Sequence, residues 1–185
     1  VYLHFDGTTQ ETNPLLEKTS LPAIENCRKV GLGIVLVPTV INGKNDHQIG
    51  DIIRFAAKNI DVIRGINFQP VAFTGAAKND DVERERVTVP DLVKRMEEQT
   101  GGALRRTDFY PVPSMMSVCD LIESYTGEAQ IMFCAHPHCG AATYGFVTEK
   151  GAIVPVNRFI DVDKFLREVA KMAEKFRSAG KTGRY

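Results

Sequence analysis

Seven consecutive residues, Cys134-Ala135-His136-Pro137-His138-Cys139-Gly140, hold the densest set of metal-capable side chains in the 185-residue chain. In an extended segment Cys134, His136 and His138 share a face, and Pro137 bends it. Thiols and imidazoles in one short run can ligate a metal or an iron–sulfur cluster, or form an acid/base pair on a glycine turn. The same residues can equally be structural, the imidazoles bonded to carbonyls and the thiols filling small apolar gaps. The spacing matches no standard zinc pattern, and a cubane cluster takes four thiolates, so such a site needs ligands from elsewhere. Cys119, opening a short helix after a Pro-rich stretch, is one candidate. Cys27 lies on an amphipathic helix and reads as a core residue.

The elements that must position these residues alternate. Val1-Tyr2-Leu3-His4-Phe5 reads as a strand closed by Asp6-Gly7. A helix follows, with Leu21, Ile24 and Cys27 on its apolar face and Gly31 just beyond its end. Residues 33–40 are a nearly continuous apolar run, expected to be a strand buried on both faces. Asn45-Asp46-His47-Gln48 resembles a capping box for a helix carrying Ile49, Ile52, Ile53, Ala56 and Ile60. Residues 62–69 form the next strand, which Pro70 ends. This βαβαβ order implies parallel strands and an α/β fold of β/α-barrel type. Residues 75–86 are charged and read as an exposed loop or lid, with Arg84, Glu85 and Arg86 a solvated charge run. Thr88 and Asp91 cap a further helix that Gly101-Gly102 terminates. Beyond it the alternation degrades. Residues 118–125 predict a short helix and residues 130–133 a short strand. A last helix starting at Asp161 carries the stripe Phe165, Val169, Met172 and Phe176.

Length and composition set the outer bounds. A chain of this size buries roughly 70% of its unfolded surface and needs no disulfide or metal to fold. Zero net charge argues against general nucleic-acid binding and against strong attraction to an anionic membrane. No apolar run approaches the roughly 18 residues of a membrane span. No signal peptide is visible and the four cysteines contain no C-x-x-C pair, so a reducing cytoplasm is the expected location. A chain that opens inside a strand without an initiator Met is expected to be the later piece of a longer enzyme. In parallel β/α folds ligands bind at the carboxyl ends of the strands, here residues 4–7, 38–45, 68–75 and 134–140. The Asn42-Gly43-Lys44 loop could receive a phosphate or a ribose. His47, in the first turn of a helix, is expected to be solvated.

The segments Leu3-His4-Phe5-Asp6-Gly7, Ala23-Ile24-Glu25-Asn26-Cys27 with residues 34–45, and Gly65-Ile66-Asn67-Phe68-Gln69-Pro70 resemble the radical S-adenosylmethionine (radical SAM) superfamily. Within it, Phe109-Tyr110-Pro111-Val112-Pro113 and His136-Pro137-His138-Cys139-Gly140-Ala141-Ala142-Thr143-Tyr144 look like the archaeal-type group that includes tetraether lipid synthase. The resemblance implies the later strands, four to six, of a partial (β/α)6 TIM-like barrel over residues 1–100. Residues 101–185 would form a C-terminal α+β extension. It also implies a [4Fe–4S] cluster that passes one electron to bound SAM, and a 5′-deoxyadenosyl radical that abstracts hydrogen. His4 would face the SAM ribose or carboxylate, beside the turn at Asp6, with Lys18 as a basic helper. Val37, Pro38 and Thr39 would pack on the adenine, and Gln69 and Pro70 would close the far side. Cys139 would ligate an auxiliary iron centre, with Cys119, Cys134, His136 and His138 as further candidates. Ser114 stands where another cysteine would be expected.

The family's C-x-x-x-C-x-x-C loop does not occur in this sequence and would lie before Val1, so the main cluster's ligands would come from outside this chain and the chain alone would be inert. The implied substrate is a small molecule or a lipid chain, met at a membrane surface. A reductase or ferredoxin would be the electron donor, with no nucleic acid and no membrane span. Two other readings stay open: a zinc- or iron-dependent barrel enzyme using His136 and His138, and a non-catalytic binding module derived from a barrel.

Overall fold

The structure, a computed structural model, describes residues 1–74, 79–131, 136 and 140–179. It divides into two compact units, Val1–Arg106 with Val147–Val154, and Thr107–Phe146 with Pro155–Tyr185.

The first unit is built on β1 (Tyr2–His4), β2 (Ile34–Val37) and β4 (Ile63–Ile66), a parallel sheet in the order β1-β2-β4. β3 (Thr39–Val40) and β5 (Gln69–Pro70) follow β2 and β4 in the chain and pair with each other, also in parallel. The expected single strand 33–40 is thus broken at Pro38, which has no N–H for a ladder, although its carbonyl accepts from Gln69 N at 2.9 Å. Pro70, expected to end pairing, instead lies opposite Val40.

Between the strands run α1 (Leu21–Lys29) and α2 (Ile49–Lys58). Ile24 of α1 and Ile52 and Ala56 of α2 share one core with Phe5, Ile34, Leu36 and Ile63, and Cys27 packs against it as expected. Phe5 also stacks on Phe55, ring centroids 5.0 Å apart. β2 is not buried on both faces: Ile34 and Leu36 are buried, whereas Val35 and Val37 are half-buried. In register, Tyr2 lies opposite Val35 and His4 opposite Val37, so these four side chains share the less covered face. The helices cover the other one.

α1 ends in a Schellman motif, with Gly31 at φ 67°, its N–H on Arg28 O, and Leu32 N on Cys27 O. The helix after residue 78 comprises α3 (Asn79–Glu85), so the stretch read as a loop or lid is helical from there. α4 (Val89–Gln99) has the expected capping box, Thr88 Oγ1 accepting from Asp91 N while Asp91 accepts from Thr88 N.

In the second unit, β6 (Tyr110–Pro111) pairs antiparallel with β7 (Ala141–Ala142). β8 (Gly145–Val147) pairs with β9 (Ile153–Pro155), and the chain passes between the units within these two strands. α5 (Met116–Thr126) packs on α6 (Val162–Ser178), which Asp161 caps through Lys164 N at 2.9 Å. The expected α6 stripe is only partly inside. Val169 and Ala173 are buried, but Phe165 and Met172 are 48% and 47% exposed. One neighbouring helix covers one row of an amphipathic helix, and the adjacent row stays in water. Gln130 and Ile131 form no strand, and the rest of that expected strand lies outside the described residues.

Candidate functional site

The carboxyl ends of β1 and β2 are tied together by polar side chains. Asp6 Oδ1 accepts the Thr39 N–H at 2.8 Å, and Asp6 Oδ2 lies 2.7 Å from His4 Nε2. Thr39 N–H is available because it follows Pro38, where regular strand pairing stops. His4 is exposed and Asp6 half-buried, so the pair is reachable from solvent beside half-buried Val37. Each Asp6 oxygen retains a lone pair for a further donor.

The expected capping box at residues 45–48 is absent, and its two amides do other work. Asn45, 6% exposed, donates to Asp6 O at 3.0 Å and to Thr39 O at 2.9 Å, and accepts from Ile41 N at 2.8 Å. Gln48 Oε1 accepts from Thr8 N and Thr8 Oγ1 at 3.1 and 2.9 Å. Asn13 Nδ2 donates to Gly7 O at 3.3 Å. Gly7 itself must lack a side chain, because a Cβ there would lie 1.9 Å from Thr12 Oγ1. The loop after β1 is therefore a rigid, internally bonded platform. A tertiary partner 39 residues away outcompeted the local cap, which is why the sequence misled there.

The other expected cofactor residues are placed unevenly. Pro38 is fully buried, Gln69 is exposed and lies opposite Thr39, and Pro70 is half-buried opposite Val40. Lys18 is exposed on the single π-turn Leu16–Ser20 and forms no hydrogen bond to His4, Asp6 or Thr39 among the described residues. The Asn42-Gly43-Lys44 loop is occupied by its own chain: Asp46 accepts Gly43 N–H at 2.9 Å, and Arg95 donates to Asn42 at 2.5 Å. Lys44 pairs with Glu85 at 3.2 Å, and with Arg84 it holds the Glu85 carboxyl below the usual carboxylate range. Glu85 is thus part of this loop's bonding and not a freely solvated charge, while His47 is exposed as expected.

Of the metal candidates, Cys134, His138 and Cys139 lie outside the described residues. His136 is exposed, and Cys119 is half-buried on α5. Among the described residues no three His, Cys, Asp or Glu side chains form a metal-binding group. Val112 N donates to Gly140 O at 3.2 Å, which sets the end of the His-Cys segment beside the stretch that leads to Ser114.

Sequence reasoning missed one buried carboxylate. Asp108, 1% exposed, accepts from Arg158 at 2.8 Å and from Asn157 at 3.0 Å. Fifty residues separate the partners, so no local pattern marks them. Burial, and then the charges of Asp163, Asp161 and Asp108, push the nearby Tyr110 phenol up.

No family model matches the chain. It is 46% identical over 188 aligned positions to 7,8-dihydro-6-hydroxymethylpterin dimethyltransferase of Methanocaldococcus jannaschii. The alignment covers 98% of this chain and 37% of that relative's length. The similarity overturns the likeness to tetraether lipid synthase, and it gives no support to a lipid substrate. Short His-Cys and Pro-rich segments specify local chemistry and recur on a scaffold irrespective of what the whole enzyme acts on. No helix among the described residues is long and apolar enough to cross a membrane. What this chain is similar to, over nearly its whole length, is an enzyme that transfers methyl groups.

Proposed function

We propose that this chain forms part of a radical SAM methyltransferase that methylates a reduced pterin. The observation that carries the reading is the 46% identity to a dihydropterin dimethyltransferase across 98% of the chain. The open face at His4, Asp6, Val37 and Thr39 supports it, since a solvent-reachable carboxylate–imidazole pair beside a half-buried apolar side chain suits a nucleoside. In this reading these residues take the nucleoside part of SAM, and fully buried Pro38 supports them from behind without touching it. Gln69 and Pro70 bound its far side, and Lys18 is the weakest member because no hydrogen bond among the described residues ties it to the group.

The residues present do not fit the radical-generating cluster, because the four cysteines offer no C-x-x-x-C-x-x-C spacing. Cys139, with Cys119, Cys134, His136 and His138, supplies donors of the right softness for an auxiliary iron centre. A reductase or ferredoxin would deliver the electron.

The test is an anaerobic assay of the complete gene product, reconstituted with iron and sulfide. It is given SAM carrying a trideuterated methyl group and 7,8-dihydro-6-hydroxymethylpterin. Deuterated methyl groups on the pterin, together with 5′-deoxyadenosine, are the expected products. An iron-replete preparation that leaves the pterin unlabelled sinks the reading. Iron content should fall in Cys139→Ala, and an unchanged content removes Cys139 from the ligands.

A further inference from the structure

We infer that Asn45 is a positioning residue of the nucleoside-binding face: it locks the loop after β1 to the loop after β3, so that the Asp6 carboxylate meets the ligand already oriented. The inference rests on the proposed reading of that face.

Asn45 is more than nine-tenths buried and uses both amide protons on backbone carbonyls of two separate segments, Asp6 in the loop after β1 and Thr39 at the start of β3. Its own carbonyl takes the Ile41 N–H. Thr39 is thereby held at both ends, its N–H by Asp6 and its C=O by Asn45. Asp6 is held at both ends too, its C=O by Asn45 and its carboxylate by Thr39 and His4. The three residues close a ring of hydrogen bonds around the Asp6 carboxylate. A carboxylate on an unpinned loop would pay its ordering cost on binding, whereas this one pays it on folding. Gln48, three residues later, turns its side-chain oxygen to another partner, accepting both the N–H and the hydroxyl of Thr8.

The experiment measures S-adenosylhomocysteine binding by calorimetry in the complete gene product, for the unaltered protein, Asn45→Ser, Asp6→Asn and the double variant. A serine hydroxyl is too short to reach both carbonyls. Asn45→Ser should weaken binding at least ten-fold and speed Thr39 amide exchange at least ten-fold, with Leu36 exchange unchanged. Because Asn45 acts through Asp6, the double variant should bind no more weakly than Asp6→Asn alone. Independent, multiplying losses would mark a merely structural role and overturn the inference. Should Asn45→Ser fail to fold, the unaltered protein still decides: the Asn45 side-chain amide resonances must move when S-adenosylhomocysteine is added, and unmoved resonances overturn the inference. No binding by the unaltered protein overturns the nucleoside reading and the inference with it. Binding that survives Asn45→Ser overturns the positioning role alone.

Discussion

Around the parallel sheet of the first unit, Phe5, Ile24, Ile34, Leu36, Ile49, Ile52 and Ile63 are each at most 2% exposed. In the second unit, Val169 and Ala173 are the buried hydrophobics among the described residues, and α5 has no buried residue. Its best-buried groups instead include Asp108 and Pro155. Each fully buried large aliphatic or aromatic side chain contributes about 1.5–3 kcal/mol, so the first unit draws its stability from apolar area. The second draws more on one hydrogen-bonded carboxylate and on a single helix pair. Polar contacts of that kind give small net stabilisation when made and a large loss when half is removed. The same contrast runs through the candidate site. Its residues sit on the rigid unit, where a packed sheet holds strand ends in place.

The contrast can be broken by substitution. Phe5→Ala removes a side chain with no exposed surface and its stack on Phe55, and should cost about 3–5 kcal/mol. Lost amide protection at Leu36 would report it, and a loss under about 1 kcal/mol would mean the sheet is not the stable part. Asp108→Ala should cost about 3 kcal/mol, the low end for a broken buried pair because Arg158 is 32% exposed. Its effect should be confined to amides of the second unit.

Smaller effects sharpen the picture. Thr88→Ala should cost about 1 kcal/mol in denaturant titrations at neutral pH. The Thr88 side chain and backbone lower the Asp91 pKa, so this stabilisation is complete above the unfolded carboxylate value of about 3.9. It is lost as pH falls through the lower folded value, and the variant and parent should converge there. A gap that widens in acid would show that the capping box is not charged. Phe165→Ala, on the half-exposed row of α6, should change stability by less than about 0.5 kcal/mol. A loss comparable to Phe5→Ala would mean that this row is covered in the working protein.

What the sequence determined by itself is local. Apolar runs located the strands around Leu3, Leu36 and Ile63, and helical spacing and end signals located α1, α2 and α4, though not α3. Gly31, Thr88 with Asp91, and Asp161 marked helix ends, because caps and left-handed glycines act within four residues. That His4, Asp6 and Thr39 lie where strands end was legible for the same reason, since apolar runs and turn residues mark strand ends locally. Only the tertiary structure decided the rest. Asn45 and Gln48 carry the letters of a cap and serve as a clamp, since folding brought the carbonyls of Asp6 and Thr39 to Asn45 and the N–H and hydroxyl of Thr8 to Gln48. Val35 and Val37 are apolar yet half-buried, because strand composition cannot say whether a second layer covers the sheet. Asp108 and Arg158 read as ordinary surface charges until folding closes the fifty residues between them. Such contacts depend on which segments meet, and that is settled by packing the whole chain at once.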